Sequence, residues 1–104
     1  MKSCCALLLT LLPVAAFAYP IEVEKHLAGT EISYTTYDTA GDMGSIDLRN
    51  DGPEAAECTV VFRNGPESPR TRKVRVEPGQ TASALQRFNR DILKLRLTIT
   101  CKPA

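Results

Sequence analysis

Tryptophan is absent from this chain of 104 residues, and histidine occurs once, at His26. Nucleophilic catalysis needs a nucleophile, a base and a group that orients the base. A lone histidine, with no Gly-x-Ser-x-Gly turn anywhere, supplies no such set, so His26 reads as a surface or edge-strand residue. Glycine is sparse: six residues, scattered in turns, none leading into a helix. A phosphate-cradling loop before a helix N-terminus is therefore missing, which argues against nucleotide binding. EF-hand spacing is missing too. Repeats, low-complexity tracts and long linkers do not occur. These absences make the expectation a protein that is not an enzyme and takes no cofactor.

A long apolar run is also lacking. One positive side chain, Lys2, precedes the stretch from Ala6 to Phe17, which Thr10 and Pro13 interrupt. Spanning a hydrocarbon core takes roughly 18–20 apolar residues, so this stretch is too short for a membrane span. It ends in Ala16-Phe17-Ala18, and charged sequence starts at once with Glu22, Glu24 and Lys25. A basic start, a short apolar stretch and a small-residue exit make residues 1–18 a secretory signal peptide, cut after Ala18. Cys4 and Cys5 fall inside it. A lipid-bearing cysteine would stand at the cleavage point, where Tyr19 stands.

Taking 18 residues from 104 leaves 86, enough for one domain, 19–104, with a modest core. Two of the four cysteines remain, Cys58 and Cys101. In a small exported protein an even pair reads as a disulfide. A core of this size has little stability to spare without one. No second Cys or His stands at ligand spacing near either residue, which argues against a metal there.

Alternation dominates the rest of the chain. Leu93, Leu95, Leu97, Ile99 and Cys101 fall on one face, and Lys94, Arg96, Thr98, Thr100 and Lys102 on the other. Period two over this length is a half-buried strand. Cys58, Val60 and Phe62 alternate with Thr59, Val61 and Arg63. Val74 and Val76 do so with Lys73, Arg75 and Glu77, and Ile46 and Leu48 with Asp47 and Arg49. Ile21–Leu27, Ile32–Asp38 and, more weakly, Thr81–Phe88 complete about seven strands, separated by Gly- and Pro-bearing turns. The expected fold is all-β: a small antiparallel, immunoglobulin-like sandwich closed by one disulfide. Both cysteines sit on apolar strand faces, and a disulfide joining such faces through a core is the immunoglobulin-like arrangement, although its core Trp is missing.

Charge is balanced in total and uneven along the chain. Residues 19–57 hold nine acids and two bases, and residues 58–104 hold ten bases and three acids. Such asymmetry marks either a binding surface or two halves that pair their charges, and pairing is the simpler reading. Two stretches stand out as candidate sites. Arg70, Arg72, Lys73 and Arg75 form a basic cluster that could hold an anion or an acidic protein surface. Sparse aromatics there argue against nucleic acid. Lys and Arg also guard strand edges, which needs no partner. The second stretch is the loop with Asp38, Asp42 and Met43. Two carboxylates are few for Ca²⁺, and Met43 with His26 is few for copper, so a tight inter-strand loop is the expected role and no metal is assigned.

The run Tyr19-Pro20-Ile21-Glu22-Val23-Glu24-Lys25, the segments Tyr37-Asp38 and Asp42-Met43-Gly44-Ser45-Ile46, and Cys58 through Glu67 with Pro69-Arg70-Thr71-Arg72 resemble a family of small exported bacterial proteins. The resemblance covers nearly the whole of 19–104 and implies a periplasmic home, without site residues. Members can carry the name 3-phosphoglycerate kinase. That kinase is a large two-lobed enzyme that closes on ATP, and this chain has neither its length nor a phosphate loop. The functional expectation is an exported, non-enzymatic domain that engages a protein or an envelope surface. The alternatives are a small inhibitor of an exported hydrolase, using the Asp38–Gly44 loop, and a metal-binding accessory protein.

Overall fold

The structure, a computed structural model, describes residues 19–104. The expected signal peptide, with Cys4 and Cys5, lies outside the described residues. Seven strands follow one another: β1 (Ile21–His26), β2 (Ile32–Ala40), β3 (Met43–Asn50), β4 (Ala56–Asn64), β5 (Arg70–Val76), β6 (Thr81–Arg87) and β7 (Leu95–Pro103). They form a four-stranded sheet in the order β1-β7-β4-β5 and a three-stranded sheet in the order β2-β3-β6. The alternation seen in the sequence is the reason: each strand has one apolar face, and two such sheets bury those faces against each other.

The core is built from the inner faces of β3, β4 and β7, with Ile46, Leu48, Val60, Phe62, Leu95, Leu97 and Ile99 all almost fully buried. Burying side chains of this kind contributes roughly 1.5–3 kcal/mol each before the entropy of ordering is subtracted. The topology interlocks. The consecutive strands β3 and β4 lie in opposite sheets, as do β6 and β7, while β3 pairs with β6 and β4 with β7. The chain thus crosses between the two sheets on either side of both central ladders, and the shared core lies between them.

Three details depart from the sequence reading. The disulfide does not run between the sheets. Cys58 and Cys101 are directly opposed in the β4–β7 ladder, with Cα atoms 4.1 Å apart, the close spacing of a non-hydrogen-bonded antiparallel pair. The cysteines are on apolar faces as expected, but those faces belong to neighbouring strands. Secondly, the sheets are not wholly antiparallel: β1 runs parallel to β7, Ile21 against Leu95 and His26 against Thr100. Thirdly, Leu93 does not belong to the apolar face of β7. It is 85 % exposed, because Ile92 turns into the core in its place, its N–H donating to the Gly41 carbonyl, and β7 starts only at Leu95.

Asn50, 1 % exposed, fastens one end of the sandwich. Its Nδ2 donates to the carbonyls of Glu54 (2.7 Å) and Val76 (2.9 Å), and its Oδ1 accepts the Gly52 N–H at 2.9 Å. Its own backbone N–H donates to Gln80 O, and its carbonyl accepts from Gly79 N. One side chain thus joins the β3–β4 crossover to the end of β5, and its backbone adds the β5–β6 turn. That turn is Pro78-Gly79, with Gly79 at φ 73°, a conformation that suits glycine.

Two outcomes follow for stability. The disulfide joins residues 43 apart, so Cys58→Ala with Cys101→Ala lowers unfolding free energy by about 4 kcal/mol in denaturant titration, the loop-entropy value. An unchanged midpoint overturns that. Asn50→Ala orphans buried carbonyls and an N–H and costs at least about 2 kcal/mol in the same titration; a loss under half that means water replaces the amide.

Candidate functional site

The basic residues of β5 do not form one face. Register pairs Arg70 with Phe62 and Arg72 with Val60, so both arginines lie on the inner side of the sheet, in line with Val74 and Val76. Lys73 and Arg75 lie on the outer side, opposite Thr59 and Glu57. The inner pair closes the seam between the sheets. The Arg70 guanidinium lies 5.5 Å from the centre of the Phe88 ring and 3.7 Å from Glu67. Arg72 Nε donates to Gln86 Oε1 at 3.1 Å, from β5 to β6. These two contacts are structural, and they separate Arg70 and Arg72 from the candidate surface.

The outer face of the four-stranded sheet gathers other bases instead. Reading across the register, one row is Arg75–Glu57–Lys102, the next Lys73–Thr59–Thr100–His26, the next Thr71–Val61–Thr98–Glu24, and the last Arg63–Arg96–Glu22. Two shallow depressions lie on this face. One, of about 460 Å³, is bordered by Glu57, Thr59, Lys73, Arg75, Thr100 and Lys102. The other, of about 490 Å³, is bordered by Glu22, Glu24, Arg63, Arg96 and Thr98.

The halves of the chain do pair some of their charges. Glu57 meets Arg75 (3.8 Å), Asp42 meets Arg87 (3.4 Å), and Glu22 meets Lys94 (2.8 Å) and Arg96 (3.5 Å). The bond from Lys94 is the main reason the Glu22 carboxyl is held below its ordinary pKa. Arg63, Lys73 and Lys102 have no carboxylate within ion-pair distance among the described residues, and Arg63 donates to Thr98 Oγ1 at 3.1 Å. Three bases of the second half without a carboxylate partner thus share one face, beside threonine hydroxyls, while Arg72 lies on the inner side and Arg90 outside the strands.

The expected Asp38–Gly44 loop is shorter than the sequence suggested: Asp38 belongs to β2 and Met43 to β3, only Gly41 and Asp42 form the turn of this hairpin, and the stretch has a structural role. Asp42 is engaged by Arg87, its carbonyl accepts Phe88 N–H, and the Gly41 carbonyl accepts Ile92 N–H. Tyr19 is fastened here, its hydroxyl donating to Met43 O at 2.7 Å. Burial, then the charges of Asp38 and Asp42, push the Tyr19 pKa up to about 12. Gly44 is needed at this junction, since a Cβ there runs into the Leu95 side chain. Among the described residues no three His, Cys, Asp or Glu side chains converge. His26 is exposed on the edge strand β1, its Nε2 2.9 Å from Glu24 Oε2. Chemically, the outer face can hold an anionic surface by charge and hydroxyl donors.

Sequence reasoning missed Arg63 and Lys102 as members of a surface. Their alternation placed each opposite an apolar face, but only the strand order brings them to the same side as Lys73. No protein-family model, curated protein or solved structure matches this chain. Among the described residues no helix is long and apolar enough to cross a membrane, and a disulfide is compatible with an oxidising compartment.

Glu67 holds the other end of the sandwich. Burial raises its pKa, but N–H groups of Asn89 and Arg90, the Asn64 amide and the Arg70 charge outweigh that and leave it lowered. A carboxylate whose folded pKa is depressed adds stability that is fully present above its unfolded value, about 4.5, and is lost as the pH falls through the folded value. Glu67→Gln is therefore less stable than the parent at neutral pH, and the gap closes in acid. A gap in melting temperature that stays constant down to pH 2 contradicts this.

Proposed function

We propose that this chain is an exported, periplasmic, non-enzymatic binding domain, and that the outer face of its four-stranded sheet receives an acidic protein or envelope surface. The observation that carries the reading is the gathering of Arg63, Lys73 and Lys102, free of carboxylates among the described residues, on one face with Thr59, Thr98 and Thr100. On that outer face Glu22, Glu24, Glu57, Arg75 and Arg96 have ion-pair partners among the described residues, and these three bases do not. Long, exposed bases with adjacent hydroxyls suit carboxylate or phosphate groups presented on a surface rather than a small molecule in a cleft. The reading of an exported protein draws on the signal-like residues 1–18 and the Cys58–Cys101 bond. The non-enzymatic reading draws on the isolated position of His26 and on the structural engagement of Asp42.

The triple substitution Arg63→Glu, Lys73→Glu and Lys102→Glu tests it. Wild-type protein immobilised and exposed to envelope extract retains acidic partners that elute as salt is raised, because exposed charges are screened over about 8 Å at physiological ionic strength. The triple variant loses them while keeping its melting temperature. Equal retention by both proteins means that this face is not the binding surface.

A further inference from the structure

The four edges of the two sheets are not alike. β1 carries Glu22, Glu24, Lys25 and His26, and β5 carries Arg70, Arg72, Lys73 and Arg75. Edge charges of this sort oppose pairing with another chain. β6 borders the β5 seam, where Arg72 reaches Gln86. β2 is different. Its nine residues include Asp38 and an irregularity of the β3 register between Tyr37 and Ala40, but from Ile32 to Tyr37 the register is regular and there is no charge, proline or glycine. Tyr34 and Tyr37 are 37 % and 45 % exposed, and Lys25 of β1 lies 5.5 Å from the centre of the Tyr34 ring on the inner side.

Its free backbone groups can be assigned. Glu31 O accepts from Asp51 N, in register with the β2–β3 ladder, so the odd-numbered residues 31, 33, 35 and 37 bond towards β3. The N–H and C=O groups of Ile32, Tyr34 and Thr36 then point to the open edge.

We infer that β2 pairs antiparallel with β2 of a second copy of this chain, about a two-fold axis through Thr35. In that register Tyr34 of each copy exchanges both main-chain hydrogen bonds with Thr36 of the other. Ser33 faces Tyr37, and Thr35 faces Thr35. Aromatic and β-branched residues are the favoured cross-strand neighbours. Within the regular run 33–37 no charged residue is paired; Asp38 and Thr39 lie where the β2–β3 register shifts, and the pairing ends before them. β6 is also uncharged from Thr81 to Gln86, but it borders β5; what favours a second β2 is that this register is self-complementary, each pair from 33 to 37 joining uncharged β-branched, aromatic or hydroxyl residues. The result is a continuous six-stranded sheet, β6-β3-β2 joined to its symmetry mate, which removes one open edge from each copy.

Sedimentation of residues 19–104 at micromolar concentrations gives twice the monomer mass. Thr36→Pro removes an edge donor without touching the β3 ladder, and it returns the protein to monomer with its fold intact by circular dichroism. The register is read by cysteine. Thr35→Cys, at a close non-hydrogen-bonded pair like that of Cys58 and Cys101, oxidises to a covalent dimer, whereas Ser33→Cys does not. A monomer at all concentrations overturns the inference. So does a dimer that Thr35→Cys fails to cross-link, even where Thr36→Pro proves too unstable to score. These outcomes do not depend on the basic face, which belongs to the other sheet.

Discussion

Everything in this fold leans on the β4–β7 ladder. These two strands run antiparallel over nine residue pairs from Ala56–Pro103 to Asn64–Leu95 and sit in the middle of the four-stranded sheet. They supply most of the large buried side chains. They also join segments distant in sequence, so closing the ladder costs considerable chain entropy. The Cys58–Cys101 bond lies within it and holds that closure covalently. Its inward position shields it, with both cysteines 1 % exposed. β1 and β5 then add on either side, and the three-stranded sheet covers the apolar face so formed.

A ladder fixes neighbours in one sheet but not the relation between sheets. Here polar clamps and seams do that. Asn50 ties the crossovers at one end of β4, and Glu67 with Asn64 ties the 88–90 segment at the other. Between the sheets each open side is closed by a cation over a ring. Arg70 lies over Phe88 on the β5–β6 side, and Lys25 lies 5.5 Å from the centre of Tyr34 between β1 and β2. Both bases come from inner-face positions at sheet edges, where the long apolar stem covers the core and the charged head reaches water. Half the basic cluster of β5 is thus spent on packing, and a charge count alone misreads it.

The alternation of Cys58–Phe62 and Leu95–Cys101 was enough to place both strands and their buried faces, and the seven-strand all-β architecture follows from such patterns. Turn chemistry was equally legible at Asn64-Gly65 and Pro78-Gly79, where both glycines have positive φ. Strand order was not, because alternation says which face is apolar and nothing about the neighbour. That gap explains the remaining differences. The disulfide lies within a sheet because β4 neighbours β7, and β1 lies beside β7, in parallel, at one edge of that sheet. Arg63 and Lys102 join Lys73 only through that same order. Leu93 misled for a local reason: Ile92 offered the core an equal side chain one residue earlier, and the bond to Gly41 decided between them.

The architecture also limits what kind of surface can act. Among the described residues the two packed layers leave shallow depressions, and the binding proposed for this chain would therefore use flat faces and strand edges. A flat face of exposed bases is weak in any single contact, because water and salt screen each charge. Its strength depends on how many such faces act together. Pairing through β2 bears on this directly. A two-fold axis through an edge-to-edge β pair stands perpendicular to the sheet, so both three-stranded sheets continue in one layer and both basic faces turn to the same side. In the proposed dimer two faces held in fixed relation would meet an extended acidic surface at once, the second contact forming at high effective concentration. On that proposal the uncharged edge and the charged face, on opposite layers of the sandwich, have linked roles: the edge would set the spacing, and the faces would supply the attraction.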